Sequence, residues 1–225
     1  LNMSEYQDKT GISKLIGANA GYVGYEEGGL LTEFVRNKPN CVVLFDEIEK
    51  CDPKILDILL HLLDEGYTTD NLNRTIDFTN TIIVMTTNIG HEETNKRPLG
   101  FASEKPDESN VYHESLKKYL RPELLSRIDD VLFFNQLKDK DLLKIVEEEL
   151  RYIQARLRRK NIHFKLSPAV KKFIFNEIGK ENQNARNIKN LVKTTVQVPL
   201  SKFIVKNRGI EQISAKIIDK TLTFV

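Results

Sequence analysis

The sequence predicts an α/β protein, a parallel sheet flanked by helices, followed by a smaller, mainly α-helical domain. Two uninterrupted apolar runs and the amphipathic segment between them carry that prediction. Cys41-Val-Val-Leu-Phe45 and Thr81-Ile-Ile-Val-Met-Thr86 do not alternate with polar residues. That is the pattern of strands buried on both faces, as in a parallel sheet covered by helices. Between them, Ile55, Ile58, Leu59, Leu62 and Leu63 recur at helical spacing on one face. Asp52 can cap this helix, Pro53 suits its first turn and Gly66 ends it.

The remaining elements follow in order. A short helix is expected over 29–37, stopped by Pro39, and helical turns over 115–120 and 122–127. The stretch 95–110, rich in Pro, Glu, Lys and Ser, is the least structured. Near Gln136 the pattern changes, which divides the chain into 1–136 and 137–225. A long helix is expected over 139–160, a strand over 162–166, helices over 168–178 and 185–205, and two closing strands near 213–218 and 221–225.

Composition narrows the function. Hydrophobic residues make up 40% of the 225 and charged residues 29%, a balance suited to an ordered globular chain. The 34 basic residues nearly match the 32 acidic ones, so no global basic field recommends nucleic acid as a partner. No apolar run approaches membrane-spanning length, and no signal peptide opens the chain. Cys41 and Cys51 lack metal-ligand spacing and read as spare thiols in a reducing compartment. Frequent Lys and Asn fit an AT-biased genome, and the expected location is a plastid-type stroma or the cytoplasm. The first residue is Leu1 rather than Met, so a fragment of a longer protein is expected.

The chemistry concentrates at Leu44-Phe-Asp-Glu-Ile-Glu-Lys50, where a buried strand ends. Ligands of open α/β sheets bind beyond the carboxyl ends of the strands. Asp46 there can hold Mg²⁺, a hard cation that takes oxygen ligands. Glu47 can orient and deprotonate an attacking water. Met85-Thr-Thr-Asn88 ends the second run and brings an amide to the adjacent strand tip, where it can bond a phosphate or the water. Taken alone, the acids also fit a solvent-facing strand end, and Asn88 a turn residue before Gly90.

Several segments together resemble one family. They are Leu15-Ile-Gly-Ala-Asn-Ala-Gly-Tyr-Val-Gly-Tyr-Glu-Glu-Gly-Gly29, the Asp46–Lys50 run, Arg74-Thr-Ile-Asp-Phe78, Met85–Asn88 and Arg121-Pro-Glu-Leu-Leu-Ser-Arg-Ile-Asp129. In order and spacing they resemble the second ATPase module of the AAA+ Clp unfoldases, the ClpA, ClpB and ClpC group. The resemblance implies an AAA+ sheet with a C-terminal lid domain, ATP and Mg²⁺ as cofactors, and a hexameric ring that threads unfolded proteins. It implies that Asp46 and Glu47 are the Walker B pair and Asn88 the sensor-1 residue. Arg127 matches the arginine finger that reaches a neighbour's nucleotide, and Arg186 the sensor-2 arginine. Tyr22 and Val23 match the substrate-gripping pore loop. Leu99-Gly100-Phe101 resembles the tripeptide that docks ClpA- and ClpC-type rings onto a ClpP peptidase. A peptidase-linked unfoldase is therefore the expected function, with a ClpB-type disaggregase or an ATPase-inactive scaffold as the alternatives.

Two departures stand out. Where the family usually reads Gly-Ala-Arg-Pro-Leu, this chain has Asn184-Ala-Arg-Asn-Ile188. And no G-x-x-x-x-G-K-[ST] phosphate loop occurs in the 225 residues, so this polypeptide alone is expected to bind ATP poorly.

Overall fold

The computed structural model describes residues 1–18, 21, 25, 28–91, 108–135, 137–177, 184–218 and 221–225. The chain divides into two compact units, Leu1–Phe133 and Phe134–Val225.

In the first unit, α1 (Lys9–Ile16) and α2 (Leu30–Asn37) precede β1 (Val42–Phe45). Then come α3 (Pro53–Glu65), a hairpin of β2 (Tyr67–Thr69) and β3 (Thr75–Asp77), and β4 (Ile82–Met85). Helices α4 (Glu108–Tyr119) and α5 (Pro122–Leu125) complete it. β1 and β4 pair in parallel, Val42 opposite Ile82 through Phe45 opposite Met85. On the far side of β1, Leu1 to Met3 run alongside. The Asp46 N–H donates to the Leu1 carbonyl and the Met3 N–H to the Asp46 carbonyl, both at 2.8 Å.

The sheet departs from the expectation of burial on both faces. Val43 and Phe45 are buried, whereas Val42 (59%), Leu44 (43%), Ile82 (64%) and Val84 (40%) stay exposed. Two of the in-register pairs thus form an apolar face that the described residues leave uncovered. Helix α3 also differs: it buries two faces, not one. Ile55, Leu59 and Leu62 join the core with Val35, Val43, Phe45 and Ile48. Leu56, Leu60 and Leu63 pack against a second cluster of Leu116, Leu120 and Leu124. Its ends follow the expected chemistry: Asp52 accepts from the Lys54 N–H at 2.9 Å, and Gly66 stops the helix at φ 74°.

The hairpin is fixed by a buried acid that patterning did not reveal. Asp70 accepts from the N–H groups of Leu72 and Arg74 at 2.9 and 2.8 Å, and from the Arg74 guanidinium at 2.6 Å. Arg74 also pairs with Glu33 of α2. Burial pushes the Asp70 carboxyl up. The Arg74 backbone N–H, the Arg74 guanidinium and the Leu72 N–H together outweigh it, leaving the group below the usual carboxylate range.

The second unit packs α6 (Asp139–Arg158), α7 (Pro168–Glu177), α8 (Ala185–Val192) and α9 (Val198–Lys206) with a three-stranded sheet. The strands are β5 (His163–Leu166), β6 (Gln212–Ile218) and β7 (Thr221–Phe224), β5 parallel and β7 antiparallel to β6. Leu142, Val146, Leu150, Ile153 and Leu157 form one stripe of α6 and meet Val170, Ile174, Ile188, Val192 and Ile213. The helix expected over 185–205 is interrupted by a π-helical turn at Lys193–Gln197. Pro199 lacks the N–H that a regular helix would bond to the carbonyl four residues earlier, and the wider turn accommodates it. No helix among the described residues is long and apolar enough to cross a membrane.

Two measurements test this account. Leu150→Ala should destabilise the chain by about 2–5 kcal/mol in urea unfolding, because it empties part of a closed core; a loss under ~1 kcal/mol would contradict the packing. Asp70 has a depressed folded-state pKa, so its contribution is present above the unfolded value of about 3.9 and fades as pH falls through the folded value. Asp70→Asn should therefore cost about 1–3 kcal/mol at neutral pH and much less in acid. An equal loss at both pH values would exclude ionisation as the cause.

Candidate functional site

The parallel register of β1 and β4 brings the segment after Phe45 against the segment after Met85. Thr86 is the centre of the junction. Its N–H donates to the Phe45 carbonyl and its carbonyl accepts from the Ile48 N–H, both at 2.9 Å. Its hydroxyl donates to Asp46 Oδ1 at 2.6 Å and accepts from the Glu47 N–H at 3.0 Å. Glu47 adopts φ 60°, ψ 55°, the left-handed region that residues other than glycine enter at a cost of about 1–2 kcal/mol. A 3₁₀ turn, Ile48–Lys50, follows, with Ile48 buried in the core as its anchor.

Four polar side chains gather on this turn. The Glu47 carboxylate accepts from Lys50 Nζ at 2.7 Å. That hydrogen bond raises the Lys50 ammonium above its ordinary value; burial opposes it, and the charges of Glu47, Glu49 and Asp46 add to it. Glu49 Oε1 accepts from the Asn88 backbone N–H at 3.3 Å and from Asn88 Nδ2 at 3.4 Å. The amide donor therefore faces Glu49, which leaves Asn88 Oδ1 available as an acceptor. Glu49 Oε2 is buried without a hydrogen-bond partner among the described residues. Tyr119 donates to the Glu49 carbonyl at 2.7 Å and ties α4 to the turn.

Asp46 and the Glu47 backbone thus meet on the Thr86 hydroxyl, while Asn88 meets Glu49, two residues further along the same turn. Thr86, Glu49 and Lys50 were not singled out from the sequence. Lys50 and Glu49 were visible in the acidic run, but nothing in their spacing revealed their partners. Among the described residues no group of three or more His, Cys, Asp or Glu could hold a metal by itself. The carboxylates here suit an ion such as Mg²⁺ that keeps several waters and needs few protein ligands. They do not supply a phosphate cradle.

Arg127 lies beyond α5, half exposed, and its guanidinium pairs with Asp64 of α3. An exposed pair of this kind contributes about 0–1 kcal/mol, so the group is readily released. Arg186 is exposed at the second position of α8. The departure beside it has a compensation. Asn184 is extended, φ −124°, and needs none of glycine's positive-φ freedom. Its side chain caps α8 by accepting from the Asn187 N–H at 2.7 Å, a bond that proline at that position could not make.

Tyr22, Val23, Leu99, Gly100 and Phe101 lie outside the described residues. The base of the segment that holds Tyr22 and Val23 is described. Asn71 Nδ2 donates to the carbonyls of Ala18 at 2.9 Å and Tyr25 at 2.6 Å. A Cβ at Gly17, φ 106°, would fall 2.1 Å from Asn71 Oδ1, so this position tolerates only glycine. Both cysteines are free, and burial pushes the Cys51 thiol up to about 11, which makes it a poor nucleophile.

Comparison with known proteins follows the same division. The AAA domain (Cdc48 subfamily) matches residues 1–131, and the C-terminal, D2-small domain of ClpB protein matches residues 137–218. The chaperone protein ClpB of Prochlorococcus marinus is 40% identical over 230 residues, covering 100% of this chain and 26% of the relative. ClpB of Aquifex aeolicus is 40% identical, covering 92% of this chain and 21% of that protein. ClpB of Mycoplasma pneumoniae is 39% identical, covering 96% and 29%. The chain therefore spans about a quarter of the length of these relatives. In the closed-state cryo-electron microscopy reconstruction of Hsp104 with ATPγS and FITC-casein, the matching chain superposes with a TM-score of 0.82 at 34% identity. That match covers 100% of this chain and 39% of the Hsp104 chain. These relatives are ClpB chaperones, and the AAA match spans the strand tips described above. This chain belongs to the AAA domain family, Cdc48 subfamily, and carries a ClpB-type D2-small domain.

Proposed function

We propose that this chain is the second ATPase module of a ClpB-type disaggregase, which uses ATP hydrolysis to extract and thread proteins from aggregates. The observation that carries the reading is the junction of two parallel strand tips at which Thr86 joins Asp46 to Glu47 and Asn88 bonds Glu49 of the same turn. Residues 1–136 act as the large AAA+ subdomain and 137–225 as its lid. The ClpB relatives favour disaggregation over delivery to a ClpP peptidase. Docking of a ClpP peptidase by Leu99, Gly100 and Phe101 does not fit that reading.

Bound ATP–Mg²⁺ supplies the phosphoryl group and neutralises its charge. Asp46 would hold the metal, directly or through water. Glu47 takes a proton from the attacking water once Lys50 no longer occupies its carboxylate. Asn88 presents its carbonyl oxygen to orient that water. Arg127 exchanges its exposed partner Asp64 for the nucleotide of a neighbouring copy, where a planar guanidinium stabilises the transferring charge. Arg186 acts as the sensor-2 arginine. Tyr22 and Val23 grip the substrate by ring and side-chain area, which needs no sequence code.

In a ClpB-type protein carrying this chain, Glu47→Gln should retain ATP binding while hydrolysis falls by a factor of about 10²–10⁴. Turnover at the normal rate would remove Glu47 from the mechanism. The 225-residue chain by itself should hydrolyse ATP hardly at all, since it contains no phosphate loop. Appreciable turnover by the purified chain would contradict that.

A further inference from the structure

We propose that Thr86 is a positioning residue whose hydroxyl sets the direction of Glu47. The proposal rests on the reading of Glu47 as the base. Thr86 spends all its polar groups on the acidic turn: its backbone on Phe45 and Ile48, its hydroxyl on Asp46 and Glu47. The backbone bonds continue the parallel ladder and any residue could make them. The hydroxyl bonds are specific to the side chain.

A hydroxyl has one proton to give. Here it goes to Asp46 Oδ1 at 2.6 Å, which turns a lone pair toward the Glu47 N–H at 3.0 Å. Donation to a carboxylate polarises the hydroxyl and strengthens it as an acceptor. Asp46, Thr86 and the Glu47 backbone therefore form one chain of bonds. Its last link holds a glutamate at φ 60°, a conformation that side chains with a Cβ rarely keep without a brace. Asp46 thus helps to aim Glu47 through the Thr86 hydroxyl. Valine keeps the shape of threonine and breaks the chain. Serine keeps the hydroxyl.

Amide hydrogen exchange on the 225-residue chain reads the brace directly. In Thr86→Val the Glu47 amide should exchange on the order of tenfold faster, the effect of losing one modest hydrogen bond. The Ile48 amide, bonded to the Thr86 carbonyl, should not change, which shows that the strand junction is still formed. Thr86→Ser should restore the Glu47 protection. In a ClpB-type protein carrying this chain, Thr86→Val should lower kcat on the order of tenfold at unchanged KM for ATP, and Thr86→Ser should recover most of it. Unchanged Glu47 exchange in Thr86→Val overturns the proposal, as does a wild-type rate in Thr86→Val beside a stalled Glu47→Gln. Normal turnover by Glu47→Gln also overturns it, and that result identifies the base assignment, not the brace, as the failure.

Discussion

Everything that makes this chain chemically interesting depends on the parallel register between β1 and β4. Parallel pairing sends both strands out of the sheet at the same end, so the residues after Phe45 and after Met85 emerge side by side. A shift of one residue would turn Val43 and Phe45 out of the core and carry Thr86 away from Asp46. Burial of Phe45 and Ile48 on either side of the acids therefore anchors the polar turn, and hydrophobic packing settles where the carboxylates stand. The cost of holding Glu47 in the left-handed region is small against that anchorage.

The same division of labour appears at the base of the segment that carries Tyr22. The β2–β3 hairpin is locked by Asp70 and Arg74, and its Asn71 reaches across to the carbonyls of Ala18 and Tyr25. Gly17 leaves room for that carboxamide and no more. The hairpin thus bonds Ala18 and Tyr25, which flank the residues whose proposed task is to grip a moving polypeptide. In the second unit Asn184 plays a comparable local part, capping α8 where the family more often has glycine and proline.

Much of this was legible in the sequence, and what was missed has physical causes. The apolar runs at 41–45 and 81–86 showed the strands because continuous β-branched residues suit little else. The strand ends then pointed to Asp46, Glu47 and Asn88. Patterning also implied cover on both faces of the sheet, yet Val42, Leu44, Ile82 and Val84 are exposed; composition states what a face prefers, not what lies against it. The hairpin escaped because Tyr67–Thr69 and Thr75–Asp77 are too short to show a period, and their stability comes from the non-local partners of Asp70 and Arg74. Thr86 escaped because its meaning lies in the register of two strands nearly forty residues apart. The expected peptidase partner rested on three residues, and a motif that short was outweighed by similarity to ClpB along the whole chain.

The central claim is that the acidic turn is one half of a hydrolytic site and that Arg127 of a second copy is the other half. Mixing tests it. Copies of a ClpB-type protein carrying Glu47→Gln in this module, and copies carrying Arg127→Ala, should each be nearly inactive there. Combined in one ring, they should regain ATP hydrolysis, because some interfaces then join an intact Glu47 to an intact Arg127. No recovery at any mixing ratio, in rings shown to contain both variants, would contradict a site shared between subunits.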